Sequence, residues 1–229
     1  MLHRGTMPAA GVVTLGDMTQ TREGADGALS DIVFPGRERL IAGVDAALGA
    51  GDCHAVTAAL RDAMCGLIRD PAVRLPDCVH APIADHYARR ELYRSPLHGY
   101  SVVAMTWGPG QGTPIHDHAG CWCVEGVWAG ELEITQYELL ERDGDRFRFR
   151  SAGGMRAGSG SAGSLIPPHE YHTIRNADAD AIAISLHVYE APLEACSRFE
   201  PVRGEWHLRA ENVLGTDASA DAPMIDRAG

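Results

Sequence analysis

Residues Gly110–Gly130, GQGTPIHDHAGCWCVEGVWAG, set two histidines one residue apart inside a run of glycines. Successive side chains of a β-strand point to opposite faces, so His116 and His118 project to the same side of one. Two imidazoles on one face suit a divalent metal, because histidine is the commonest ligand for Fe, Zn, Cu or Ni. Gly108, Gly110 and Gly112 precede the pair, and Gly120, Gly126 and Gly130 follow it. Glycines at that density mark turns between short elements. Alone, H-x-H reads more simply as two solvated or hydrogen-bonded histidines; the glycine frame raises the metal reading above that one.

Two ligands rarely hold a catalytic metal, and the segment from Pro167 to Asn176, PPHEYHTIRN, offers more. The spacing Gly110-x5-His116-x-His118-x4-Cys123-x6-Gly130 resembles the first cupin motif, with Cys123 where a glutamate is usual. Pro167-x4-His172-x3-Asn176 resembles the second, with His169 where a glycine is usual. The resemblance makes His172 the third ligand. His169 competes for that place and otherwise reads as a surface histidine in a Pro-rich turn. Three neutral imidazoles leave a divalent metal its full double charge, which favours an anionic substrate such as a thiolate. Three protein ligands also leave positions for substrate and a small molecule such as oxygen. Spacing does not separate Fe from Zn, Ni or Mn.

A more specific likeness enters at Ser185–Leu193, SLHVYEAPL, followed by Phe199-Glu200. This resembles the S-L-H-x-Y-x-x-P segment of the cysteine dioxygenases, cupin-type mononuclear iron thiol dioxygenases. Tyr87-Ala88-Arg89, Trp107-Gly108, His116-Asp117-His118, Cys123 and His172 occur in the family's order, so the resemblance spans about Tyr87 to Glu200. It implies Fe(2+) on His116, His118 and His172, and an outer relay of Ser185, His187 and Tyr189. At i, i+2 and i+4 of a strand those three share one face. It implies further that Arg89, with Tyr87 beside it, binds a substrate carboxylate, a task suited to the planar guanidinium fork. Arg90 is the alternative by one residue. Neighbours on a strand face opposite ways, so one arginine meets the site and the other reads as a surface ion pair. Cys123 stands where the animal enzymes carry a cysteine linked to the relay tyrosine by a thioether. The same residue also reads as a packed thiol, and Cys121-x-Cys123 as part of a zinc site, which leaves His172 and the Ser-His-Tyr segment unexplained.

The expected fold is mainly β, a single cupin-type β-barrel with a small N-terminal helical segment. The expected organisation is a flexible segment over 1–30, a helical segment over 31–84, a barrel with the metal site over 85–209 and a flexible tail over 210–229. Leu40, Ile41, Val44 and Leu48, then Val56, Leu60, Met64 and Leu67, recur at helical spacing, with Asp52 a plausible N-cap. Short strands are expected at 100–105, 124–128, 132–137, 146–149 and 181–186, and a loop at the glycine- and serine-rich stretch 153–163. Six scattered cysteines without scaffold spacing suggest a reducing compartment, and with no apolar run long enough for a membrane a cytoplasmic enzyme is expected. A net charge of -11 argues against nucleic acid as a partner. Every basic residue is arginine.

The function expected from the resemblance is iron-dependent oxidation of a small thiol carboxylate by O2 to its sulfinate, with L-cysteine the first choice. 3-Mercaptopropionate or mercaptosuccinate are alternatives, the latter needing a second cation for which Arg90, Arg94 and Arg175 are candidates. A cupin isomerase or carbon-cleaving dioxygenase is a further enzyme reading. From another class, a non-catalytic metal-binding cupin would bind a small acid and consume no oxygen. Oligomeric state is not legible.

Overall fold

Strands buried on both faces organise this protein. The computed structural model describes residues 32–217. Two helices, α1 (Arg37–Leu48) and α2 (Cys53–Arg69), are followed by a short 3-10 turn at Asp77–His80 and then by strands only. These are β1 (Ala88–Arg94), β2 (Ser101–Trp107), β3 (Ile115–His116), β4 (Cys123–Ala129), β5 (Glu131–Asp143) and β6 (Arg146–Gly158). There follow β7 (Ala162–Leu165), β8 (His172–Asn176), β9 (Ala183–Tyr189), β10 (Ala195–Arg203) and β11 (Trp206–Val213). One sheet has the order β1-β2-β9-β4-β7, and the second closes in the order β10-β11-β6-β5-β8-β3. All pairings are antiparallel. This is a cupin-type β-barrel preceded by a small helical segment.

The first sheet shows why its strands are so apolar. On β2, Val103, Met105 and Trp107 join the inner cluster with Cys123, Val127 and Tyr189. The alternate residues Val102 and Ala104 join the outer cluster with Leu92, Val124, Leu186 and Val188. That outer cluster is completed by Leu40 and Val44 of α1 and by Leu60, Met64 and Leu67 of α2. A sheet covered on both faces needs apolar side chains at nearly every position. Complete burial of a side chain such as Leu60 or Met64 is worth about 1.5–3 kcal/mol. Asp52 caps α2 as expected, its Oδ1 accepting from the Ala55 N–H at 2.9 Å. The helix lies so close on β4 that a Cβ at Gly126 would sit 2.5 Å from Met64 Cγ and 2.7 Å from Ile68 Cδ1. Any larger residue there would force Met64 and Ile68 to shift.

Two expectations give way. The stretch 153–163 is mostly strand, because β6 runs to Gly158 and β7 starts at Ala162. Ladder bonding uses backbone groups that glycine carries like any residue, and β5 supplies them along its whole length. Gly153, at φ +137°, sits where the β5–β6 register shifts between Gln136 and Tyr137. The C-terminal boundary expected at 209 falls inside β11, which pairs with β10 as far as Val213. The segments 1–30 and 218–229 lie outside the described residues. Among the described residues, no helix is long and apolar enough to cross a membrane.

Candidate metal centre

The barrel's pairing register assembles the site. His116 on β3 stands opposite His172 on β8. His118 follows in a turn that Asp117 holds, its Oδ1 accepting from the N–H groups of Ala119 (3.1 Å) and Ser197 (2.8 Å). One ligand nitrogen from each of His116, His118 and His172 lies within 4.8 Å of the others. Ring centroids are 4.3 Å apart for His116–His172 and 5.2 Å for His118–His172. His169 is exposed in the preceding turn and is not part of the cluster.

The chemistry of these donors fits a divalent metal. Burial lowers the pKa of all three imidazoles, with mutual repulsion adding to it at His118 and His172. Neutral imidazole is the form that ligates. His172 Nδ1 donates to the Glu170 carbonyl at 2.8 Å and His116 Nδ1 to the Pro114 carbonyl at 3.2 Å, which leaves Nε2 of each neutral ring without a proton. Such partners commonly orient metal-bound histidines. Nδ1 of His118 is buried without a hydrogen-bond partner, an unmet demand of the kind a cation relieves.

Strands β2, β4 and β9 supply the neighbours. Cys123 stands opposite Tyr189, Glu125 opposite His187 and Val127 opposite Ser185. Directly opposed residues of an antiparallel pair carry Cβ atoms about 4.5–5.5 Å apart, so Cys123 and Tyr189 are neighbours on the inner face. Burial raises the pKa of both, keeping thiol and phenol protonated. Ser185 Oγ lies 2.8 Å from His187 Nε2, and the His187 ring stacks on Tyr189 with centroids 5.9 Å apart. Burial, with Arg89 and His116 nearby, pushes the His187 pKa down to about 3.

Arg89 and Arg90 face opposite ways. Arg90 turns to the outer face, donating to the Ala81 carbonyl (2.9 Å) and Thr106 Oγ1 (3.3 Å). Arg89 turns inward and lines, with Tyr87, His116, His118, His187 and Tyr189, a cavity of about 20 Å³. Its Nη1 donates to Gly215 O at 2.9 Å and its Nη2 reaches Leu193 O at 3.5 Å, while Nε is buried without a partner. Tyr87 stacks on Trp107 at 4.5 Å. The cavity opens to a mouth of about 420 Å³ that includes Arg89, His116, Arg198 and Asp217. The other arginines weighed as second cations lie elsewhere: Arg94 pairs with Glu91 and Arg175 with Glu133.

Some residues at the site escaped the sequence reading. Glu125, buried 3.5 Å from His187 Nδ1 and 3.9 Å from His172 Nε2, was legible, because i+2 from Cys123 shares its face. Burial lifts its pKa to about 7. With the histidines held neutral, neither contact is an ion pair. Trp107, whose Nε1–H donates to Ser185 Oγ at 2.9 Å, and residues 214–217, which cover Arg89, carried no local signal.

The family model Cysteine dioxygenase type I matches residues 84–202. Cysteine dioxygenase type 1 of Rattus norvegicus and that of Homo sapiens are each 24% identical over 105 residues, 46% of this chain and 52% of theirs. The chain thus spans about half the length of these curated relatives. Among solved structures, the TT1209 protein of Thermus thermophilus matches with TM-score 0.39 and 19% identity, over 51% of this chain and 94% of that one. A Klebsiella pneumoniae protein with a double-stranded β-helix domain matches with TM-score 0.41 and 18% identity, over 54% and 87%. The matched segment 84–202 holds the histidine cluster, Arg89 and the strand carrying Ser185, His187 and Tyr189, and the chain belongs to the cysteine dioxygenase type I family.

Proposed function

We propose that this chain is an iron-dependent dioxygenase that converts a small thiol carboxylate, L-cysteine in the first instance, and O2 to the sulfinate. The observation that carries the reading is Arg89 and Tyr87 lining one small cavity with His116 and His118, two members of the three-histidine cluster. His116, His118 and His172 would hold Fe(2+), which when bound supplies open positions for a thiolate and for dioxygen. A substrate carboxylate would take the free Nε–H of Arg89 together with an Nη–H on the same edge, a paired charge-assisted contact. Tyr87 would close one side of that carboxylate site. Tyr189, kept protonated by burial, offers a hydrogen bond toward the reacting atoms, and its ring is packed against His187 and His118. The register pairing of Cys123 with Tyr189 supports a thioether between them. Positioning of two reactants side by side accounts for much of the rate enhancement such a site offers.

Arg198 favours a second reading. It lines the mouth with Arg89 and holds the strand position opposite His116; its Nε contacts Glu200 Oε1 at 3.3 Å, a half-exposed pair that a second carboxylate, as in mercaptosuccinate, would have to displace. The test is oxygen uptake by the Fe(2+)-loaded protein with cysteine, cysteamine, 3-mercaptopropionate and mercaptosuccinate, with the sulfinate identified by mass. Stoichiometric oxygen use with a thiol carboxylate is the expected result. Tight metal binding with no oxygen consumed by any thiol would leave a non-catalytic metal-binding cupin.

A further inference from the structure

Glu125 is a buried carboxylate in the inner wall for which the reaction proposed above has no use. It is 6% exposed, and its Oε2 has no hydrogen-bond partner. Beyond it lies a cavity of about 150 Å³ whose wall is largely apolar, with Val127, Leu132, Ile134, Ala157 and Ile174. Arg156, Ser161 and Ser185 also line it. On the side toward the metal centre, the nitrogens near Oε2 are His187 Nδ1 at 3.5 Å and His172 Nε2 at 3.9 Å. The second is already assigned, as His172 gives its Nδ1–H to Glu170 and keeps Nε2 as a bare lone pair. His187 Nδ1 remains.

The direction of the hydrogen bonds on β9 decides which nitrogen of His187 carries the proton. Indole Nε1–H only donates, so Trp107 gives its proton to Ser185 Oγ at 2.9 Å. Ser185 is 1% exposed, and its own hydroxyl proton finds an acceptor in His187 Nε2 at 2.8 Å. Buried hydroxyls are seldom left with an undonated proton. His187 Nε2 is then an acceptor, and in the neutral ring the proton sits on Nδ1. Two groups face that N–H: Cys123 Sγ at 3.9 Å, a weak acceptor, and Glu125 Oε2. A gap of 3.5 Å is longer than a formed bond, and a small rotation of either side chain closes it.

We propose that Glu125 is a positioning residue of this site: its carboxylate accepts the His187 Nδ1–H and ends a chain of hydrogen bonds running Trp107 to Ser185 to His187 to Glu125. The chain holds one imidazole tautomer and one ring plane, and through the stacked ring it holds Tyr189. The consequence for turnover rests on the proposed dioxygenase reading; the tautomer does not.

The test is nitrogen-15 NMR of the histidine side chains in the metal-free full-length protein, with His187 assigned by loss of its signals in His187→Gln. The parent is expected to show Nδ1 protonated and Nε2 bare. In Ser185→Ala, combined with Cys123→Ala so that Glu125 alone faces the ring's N–H, the Nδ1–H form should persist. In Glu125→Leu, checked for folding by its melting curve, the Nε2–H form should rise at least several-fold. A parent protonated at Nε2, a switch to Nε2–H in the double variant, or an unchanged tautomer in Glu125→Leu each overturns the proposal. The double-variant result decides the matter if the leucine variant fails to fold. With the iron-loaded protein, Glu125→Leu should lower kcat, with the thiol KM within about twofold. A rise in KM with kcat unchanged contradicts a positioning role. Should the parent oxidise no thiol at all, the function proposed above falls while the tautomer result stands.

Discussion

Replacing Arg89 with alanine separates substrate recognition from scaffold. Arg89 is 6% exposed, and its guanidinium does two jobs in the reading above. Its Nε–H is buried without a partner and is the group proposed to meet a carboxylate. A lost charge-assisted hydrogen bond costs about 1.5–3 kcal/mol, so kcat/KM for cysteine should fall roughly 10- to 150-fold. Toward the chain it holds Gly215 O at 2.9 Å and, at the limit of a bond, Leu193 O at 3.5 Å. Gly215 is exposed, and water replaces that partner, so the scaffold cost should stay near ~1 kcal/mol. Cysteamine, which has no carboxylate, cancels the scaffold contribution. The assay is oxygen uptake with both thiols for parent and variant at equal iron loading. The parent should use cysteamine poorly, and the variant should lose most of the cysteine preference while its cysteamine rate changes little. An equal fall for both thiols, or a parent that turns them over equally, would refute carboxylate recognition by Arg89.

Alanine at His116, His118 or His172 should remove most bound iron by metal analysis, whereas His169→Ala should retain it; iron held by the His116→Ala, His118→Ala or His172→Ala protein would contradict the ligand set. Asn176 gives its Nδ2 protons to the carbonyls of Trp107, Gly108 and Ala181 at 3.1, 3.1 and 2.8 Å. Asn176→Ala should therefore cost about 2–4 kcal/mol in denaturant unfolding, two or more buried carbonyls losing partners; a loss under about 1 kcal/mol would show that these bonds are replaceable. For Cys123 and Tyr189, turnover with iron and O2 should form a C–S bond with loss of the thiol and one ring hydrogen, dioxygen taking both. Peptide mass spectrometry should show a linked species lighter by two hydrogens that Cys123→Ser abolishes, and its absence after extended turnover would end the thioether idea. At the mouth, Asp217 accepts from the Arg89 N–H at 2.8 Å and contacts His86 Nε2 at 3.1 Å. Hydrogen bonds to Asp217 and Asp85 raise the His86 pKa, so its folded form prefers the proton. The contribution is complete below about pH 6.5, the unperturbed histidine value, and is lost as pH rises through the raised folded value. Amide exchange at Asp217, corrected for its intrinsic pH dependence, should speed up across that window in the parent and not in His86→Ala.

How much of this was readable depends on how local each signal is. Strand alternation aligned Ser185, His187 and Tyr189 on β9, because a period of two is a property of the backbone, whereas His118 lies past the end of β3, and the turn held by Asp117, not a shared strand face, sets it beside His116. Helical spacing and the Asp52 cap located α1 and α2 for the same kind of reason. Family likeness, not spacing, singled out His172 and Arg89. Composition misled at 153–163, where small residues suggested a loop and pairing with β5 made a strand. Local pattern likewise missed that β11 continues past 209, since a partner strand, β10, decides that. Which of two adjacent arginines faces the metal centre was stated as an alternation and resolved by the β1–β2 register, Arg89 opposite Met105 and Arg90 opposite Ala104. The pairing of Cys123 with Tyr189, the carbonyls of 193 and 215 on Arg89, and the placing of Glu125 against His187 and His172 join residues far apart in the chain, by as many as 126 positions for Arg89 and Gly215. No period in the chain encodes such distances. Sequence determined which residues share a face, because that follows from backbone geometry alone; tertiary structure decided which faces meet, because that follows from sheet closure and the burial it brings.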